Sequence, residues 1–367
     1  MIPRLKPDSR GIYKMLNRII ILSLTLVYAS GCQIGYLWHV SYNHLSMLNS
    51  KIPIERALEN KDLTAEQRKK ILLTQEVRTF AFDKLNLSKS KNYTEYIDLK
   101  RPYVTYAVTA SYKWKLEPYL WSFPIIGKAP YKGYYSEKMA QQEANEMKGK
   151  GFDVYVRGVS AFSTLGKLTD PLLSSMLAYS EHDLVNTIIH ELVHTTLFIK
   201  DNIDFNERLA VFVAGKGTEI FYLEKEGAKS ATLQLIKNEN EDDKIFSAFI
   251  TLELNDLKQW YLNYQPDASL SADSKEGIRI ARLELIKSDF QQKIARKLKT
   301  RSYQSFTQGP FNNARLGNYH TYMKDLDLFE KVYQKNGASI PQFLKKCAEL
   351  NQVEDPEAEL KKWANSP

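Results

Sequence analysis

Between Glu181 and Leu197 the apolar positions Leu184, Val185, Ile188, Leu192 and Val193 recur at helical spacing, with Ile189 and Leu197 flanking them. This pattern predicts an amphipathic helix. Ser180-Glu-His-Asp183 supplies its start, because a serine hydroxyl can accept the backbone N–H three residues on. His190 and His194 are left on a face beside the apolar one. Upstream, residues 34–90 read as helical, with polar interruptions near Lys51–Pro53 and Asn60–Thr64. There Thr64-Ala-Glu-Gln67 is a capping box opening a helix that carries Ile71, Leu72, Val77, Phe80 and Phe82. From Arg101 the period changes: RPYVTYAVTASYKW and FDVYVRGVSAF read as strands, separated by a helix at Glu137–Lys148. After Gly217 the chain is again helical. Ile245, Phe249, Leu252, Leu257, Trp260 and Tyr264 precede a break at Gln265-Pro266-Asp267, and Ile278, Ala281, Leu285, Phe290, Ile294 and Leu298 follow it, which predicts a long helical hairpin. The pieces predict an α+β fold, mainly helical, with a small mixed sheet. Residues 32–367 form one domain in this reading, with a core at about 100–220 and a helical part at about 221–367.

The beginning of the chain changes where such a domain is expected to work. Five basic residues from Arg4 to Arg18 precede an 11-residue apolar run, Ile19 to Ala29, too short for a comfortable span. Ala29-Ser30-Gly31-Cys32 then resembles a bacterial lipobox, so residues 1–31 read as a lipoprotein signal and Cys32 as the lipidated residue. An uncleaved anchor beginning at Ile19 is the rival, interrupted early by Gln33, His39 and Asn43. Either way the chain is tethered to a membrane. Gln33 after the cysteine, in place of Asp, points to an outer membrane facing the periplasm if the source is Gram-negative. Removing the leader leaves 46 Lys+Arg against 42 Asp+Glu, so the formal charge of +8 falls to +4. A lipidated Cys32 leaves Cys347 without a partner, and a buried, inert thiol is expected there. The basic run Lys293–Arg301 reads as a solvated helix face before a lipid-binding one. No zinc-finger spacing or phosphate loop is present, and nucleic acid is not an expected partner.

The chemistry concentrates in IIHELVHTTLFIKDNIDFNERLA, Ile188 to Ala210. At 100° per residue, positions i and i+4 lie nearly above one another, so His190 and His194 can direct two imidazoles at one ion. Catalytic zinc takes three protein ligands, and Glu207 is the candidate third. Asp201–Asp204 breaks the first helix, Asp204 is placed to cap the second, and Glu207 would then fall in its first turn. Asp204-Phe-Asn-Glu207 is also a capping box in its own right, which would make Glu207 a structural residue. With 6 histidines in 367 residues, HExxH arises by chance in about half a per cent of such chains. The combination therefore favours one zinc ion per chain, with Glu191 as general base in the hydrolysis of a peptide or related amide. A second donor to the oxyanion is sought among Tyr179, Arg315, Tyr319, His320 and Tyr322, with Tyr322 preferred.

These residues resemble the bacterial family of putative aminopeptidases, lipoprotein-like zinc hydrolases of the HExxH…E, or gluzincin, type. The likeness is densest from Ser160 to Gly217, where HELVH and FNERLA stand in order; YIDLKRPYV, WSFPIIGKAPYKGYY and FNNARLGNYHTY extend it. It implies a zincin-like catalytic core, His190, His194 and Glu207 as zinc ligands, and Glu191 as catalytic base. Val159 to Leu165, and in particular Val159, Ser160, Ala161, Phe162 and Ser163, would resemble the edge strand that pairs with an extended peptide. One departure is visible. Where the family often has cysteines, this chain has Ser122 and Lys128, so that loop must be held without a disulfide. No GAMEN-like segment for gripping a free amino terminus is found. The expected function is a zinc-dependent peptidase acting on peptides or proteins, named aminopeptidase by resemblance. A zinc endopeptidase, or a membrane-tethered envelope protein with a non-catalytic metal site, are the alternatives.

Overall fold

The structure, a computed structural model, describes residues 35–123, 127–161, 169–265 and 267–366. The leader, Cys32, Phe162 and Ser163 lie outside them. Two units divide the chain, Met1–Ser50 and Lys51–Pro367. The first contains helix α1, residues 35–48. Among the described residues no helix is long and apolar enough to cross a membrane.

The second unit opens with β1 (Ile52–Pro53) and the short α2 (Ile54–Leu58). The expected capping box then starts α3 (Ala65–Asp83): Thr64 Oγ1 accepts from Gln67 N at 3.1 Å while Gln67 Oε1 accepts from Thr64 N at 2.9 Å. Ile71, Val77 and Phe80 are buried by this helix, whereas Leu72 faces out. Seven short strands and one helix follow: β2 (Glu95–Ile97), β3 (Thr105–Ser111), β4 (Trp121–Phe123), β5 (Gly127–Ala129), β6 (Tyr131–Tyr134), α4 (Glu137–Gly149), β7 (Asp153–Val159) and β8 (Leu172–Leu173). The single small mixed sheet expected from sequence resolves into three pieces. The order β1-β2-β8 is mixed, β6-β3-β7 is antiparallel throughout, and β4-β5 is a separate ribbon. In that ribbon Ser122 and Lys128 are register partners. Glu143 on α4 holds the neighbourhood instead of a disulfide, accepting from Trp121 Nε1 at 2.9 Å, Lys132 Nζ at 2.8 Å and Tyr134 Oη at 2.6 Å.

Helices make up the remainder: α5 (Glu181–Thr196), α6 (Ile203–Glu226), α7 (Ala231–Asn263), α8 (Ala272–Asp289), α9 (Asn313–Met323), α10 (Leu326–Lys335), α11 (Ile340–Ala348) and α12 (Pro356–Asn365). The predicted hairpin is α7 with α8, packed around Phe246, Ile250, Leu257, Leu283, Ile286 and Phe290. Its second arm differs in phase from the expectation. Ile278 and Leu285 are exposed, and the buried face is Arg279, Leu283 and Ile286. Arg279 can take a buried position because Asp153 faces it, with Nη1 to Oδ2 at 2.8 Å and Nη2 to Oδ1 at 3.1 Å. Gly217 is not a boundary either. It lies inside α6, where a Cβ would come within 2.8 Å of Leu85 Cδ1 and 3.2 Å of Ile189 Cδ1, so its missing side chain lets the helices approach. Cys347 is a buried free thiol, and burial pushes its ionisation up, as expected for an inert one.

Candidate metal centre

Helix α5 begins where its cap was expected, with Ser180 Oγ accepting from Asp183 N at 3.1 Å. Leu184, Val185, Ile188, Ile189, Leu192 and Val193 are fully buried by it. That fixes its rotation, and the i, i+4 pair His190 and His194 then points to one side, with ring centroids 4.9 Å apart at 85°. The helix ends at Leu197, and Asp201 takes a left-handed conformation, φ 61°, in the turn to α6. Asn206 locks this turn: its Oδ1 accepts from Ile199 N at 2.8 Å and its Nδ2 donates to Ile199 O at 2.7 Å, both buried.

That closure corrects the expected start of the second helix. Asn202, not Asp204, is the N-cap, and it makes no side-chain capping bond. Asp204 falls inside the first turn, accepting from Thr321 Oγ1 at 2.9 Å and facing His320 Nδ1 at 3.3 Å, so it ties α6 to α9. Glu207 is therefore one turn further in, free of any capping role, and aimed back at α5. Its Oε2 lies 3.3 Å from His190 Nε2 and its Oε1 lies 3.6 Å from His194 Nε2, while the two Nε2 atoms are 3.2 Å apart.

Two imidazole nitrogens and a carboxylate thus converge on one point, the grouping among the described residues that could hold a metal ion. The spacing bears on which kind of ion. Tetrahedral coordination with bonds of about 2.05 Å requires ligand atoms about 3.3 Å apart. All three observed separations lie within 0.3 Å of that edge. Charge is balanced toward a cation as well. Burial alone would raise the Glu207 carboxyl, but hydrogen bonding from His190 and His194 holds it down at about 2. Glu191, one residue round the helix, behaves oppositely: burial at the cleft floor raises its carboxyl, against the pull of His190 and His194, with Glu207 and Asp170 adding to the rise. His194 Nδ1 is buried without a hydrogen-bond partner, a departure from the usual metal-ligand histidine, whose second nitrogen donates to a neighbour.

A cleft of about 1310 Å³ runs over these groups. Its lining reports on the other candidate residues. Tyr322, Tyr179 and His320 line it; Arg315 and Tyr319 do not. Arg315 is spent on the carbonyls of Ser305 at 2.7 Å and Pro310 at 3.0 Å, and Tyr319 packs between Phe246 and Phe306. The Tyr322 hydroxyl accepts from Arg157 Nη2 at 3.3 Å, and its ionisation is raised by burial and then by Glu207, with Arg157 opposing, so it remains a proton donor. Val159, Ser160 and Ala161 also line the cleft, at the end of β7, which is an edge strand of its sheet.

Arg157 and Tyr131 are the cleft residues that reading the sequence missed. Tyr131 is close enough to Glu207, Arg157 and Glu191 for their charges to act on it. A signal for Arg157 was available: a lone cation inside the apolar strand DVYVRGV. On β3, Thr105, Ala107 and Thr109 line the cleft, while Tyr106 and Val108 alternate with them and do not. Helix α4 packs on this sheet without contributing to the cleft.

A family model described as Putative aminopeptidase matches residues 35–362 of the chain. No curated protein and no solved structure matches it.

Proposed function

The chain belongs to the Putative aminopeptidase family, and from that premise we propose that it is a zinc-dependent peptidase with a zincin-like core. The observation that carries this reading is the convergence of His190, His194 and Glu207 at tetrahedral-edge spacing beneath an open cleft. These three residues would hold one zinc ion per chain and leave a fourth position open. When bound, zinc would acidify a water and polarise the scissile carbonyl.

The chain's own residues supply the rest. Glu191 is the general base: it takes the proton of the attacking water and passes it to the leaving amine, and its raised carboxyl suits both transfers. Tyr322, protonated and held by Arg157, donates to the oxygen on which negative charge develops. Val159, Ser160 and Ala161, at the end of the edge strand β7, would offer an extended substrate a backbone to pair with; Phe162 and Ser163, expected from the sequence to share this role, lie outside the described residues. Cleavage at the amino end rests on the family's description. Anchoring through Cys32 at an outer membrane, facing the periplasm, rests on the lipobox-like leader.

Two measurements test this. Elemental analysis of the purified chain should find about one zinc per molecule, and absence of zinc under metal-replete conditions would overturn the reading. A peptide-library digest should show cleavage by wild type and none by Glu191→Gln that still carries its zinc. Survival of cleavage in that variant would remove Glu191 from its role, and the cut positions separate aminopeptidase from endopeptidase action.

A further inference from the structure

We propose that Arg157 forms a carboxylate-recognition subsite, so that the preferred substrates are peptides carrying a carboxylate close to the scissile bond. The proposal rests on the peptidase reading above and deepens it. Its first support is an imbalance of partners. Among the described residues the three buried arginines of this unit are paired or bonded. Arg279 is held by Asp153 and Glu276, Arg208 by Glu357 and two carbonyls, and Arg315 by three carbonyls. Arg157 forms no ion pair among the described residues. Its one hydrogen bond among the described residues goes to a neutral hydroxyl, Tyr322 Oη at 3.3 Å, and its Nε is buried without a partner among them. A part-buried cation without a counter-ion gains from an anionic partner, and the guanidinium fork matches a carboxylate in two parallel bonds.

Location is the second support. Arg157 lines the same cleft as the metal centre, stands two residues before the strand edge at Val159, and acts electrostatically on Tyr322, Tyr131 and Tyr179, tyrosines on which Glu207 or Glu191 also acts. A carboxylate seated on it would lie within a residue or so of the reacting carbonyl. The third support is what surrounds the centre. Three nearby carboxylates are engaged: Glu207 with the histidines, Asp204 with His320 and Thr321, and Asp170 with Asn92, whose Nδ2 lies 3.3 Å from its Oδ2. Glu191 is needed for proton transfer. Arg157 therefore stands beside the centre without a carboxylate of the described residues paired to it, which fits an anionic substrate group.

The carboxylate has two possible sources, the terminus of a short peptide or an Asp or Glu side chain. Both are tested on the full-length chain with matched peptides: free against amidated C-terminus, and, with the terminus amidated, internal Glu against Gln. The readout is the ratio of kcat/KM within each pair. We expect one pair to favour the carboxylate at least about tenfold in wild type, mainly through KM, as loss of a charge-assisted contact implies. That ratio should collapse to near one in Arg157→Gln and survive in part in Arg157→Lys, with zinc content unchanged in both. A ratio near one in wild type for both pairs, or a ratio that persists in Arg157→Gln, overturns the subsite and leaves the peptidase reading intact. If wild type cleaves no peptide, the peptidase reading fails, and the same pairs are compared by fluorescence anisotropy as ligands. A carboxylate preference lost in Arg157→Gln would then sustain the subsite, and equal or absent binding would overturn it.

Discussion

Removing Arg279 should loosen the scaffold of the cleft far more than its distance from the metal centre suggests. Its guanidinium makes two bonds to Asp153, at 2.8 and 3.1 Å, and two to Glu276, at 3.0 and 2.7 Å. Burial works against its charge, and Glu276 and Asp153 more than offset that. In Arg279→Met the two carboxylates are left in different positions. Glu276 is 29% exposed and keeps Lys113 at 3.1 Å, so its loss is small. Asp153 is 6% exposed and among the described residues keeps only the N–H of Asn313, at 3.0 Å, which leaves a nearly uncompensated buried charge. Stranding such a charge costs about 3–5 kcal/mol. Asp153→Asn in the same chain removes the charge while its carbonyl can still accept from Asn313. The double variant should therefore recover part of the loss, with a coupling of at least about 2 kcal/mol. Urea unfolding of the four proteins, followed by circular dichroism, measures this. A cost below about 1 kcal/mol for Arg279→Met, or additive single effects, would refute the argument. Because Asp153 begins β7 and Asn313 begins α9, the elements bearing Arg157 and Tyr322, peptidase activity should fall in the variant even under conditions where it remains folded.

Three further outcomes follow from single sites. His194→Ala and Glu207→Gln should each weaken metal binding by about 100-fold or more, read by competition with a chromophoric chelator; unchanged affinity in either would remove that residue from the ligand set. Asp243 has its carboxyl raised to about 6, chiefly by burial and against the hydrogen bond from Tyr303. The folded chain therefore holds that proton more tightly than the unfolded one, and the associated stability is complete below about pH 4 and lost as pH rises through 6. Asp243→Asn should accordingly raise the melting temperature more at pH 7.5 than at pH 4.5, with a ceiling of about 3 kcal/mol on the difference; an effect independent of pH would contradict this. Gly217→Ala gains about 1 kcal/mol of helix propensity yet should be net destabilising by about 1 kcal/mol in thermal unfolding, because the new methyl meets Leu85 and Ile189. A stabilised variant would show that those side chains yield freely.

What could be read from the sequence and what could not divide along the range of the interaction. Helix α5 was legible because everything that fixes it is local: a serine cap three residues from its N–H, an apolar stripe at helical period, and two histidines four apart. The start of α6 was misread because Asn206 bonds both backbone groups of Ile199. Seven positions separate them, and no pattern in the sequence distinguishes that closure from a cap at Asp204. The face of α8 was misread for a longer-range reason. A hydropathy pattern assigns arginine to solvent, and Arg279 is inside only because Asp153 stands opposite it, 126 residues earlier. The same logic separates the two halves of the site. The candidate ligand set is compact in sequence, Glu207 lying 17 residues after His190, so local spacing exposes it. The proposed substrate side is assembled from β7 and α9, with Arg157 and Tyr322 separated by 165 residues. In the sequence each looks ordinary, a strand arginine and one tyrosine among 22. Folding brings them beside Glu207 and Glu191, and leaves Arg157 without an ion-pair partner among the described residues. For that reason the candidate metal end of this cleft could be read from a motif, while the proposed substrate end is reached by asking which partners the fold brings together across β7 and α9.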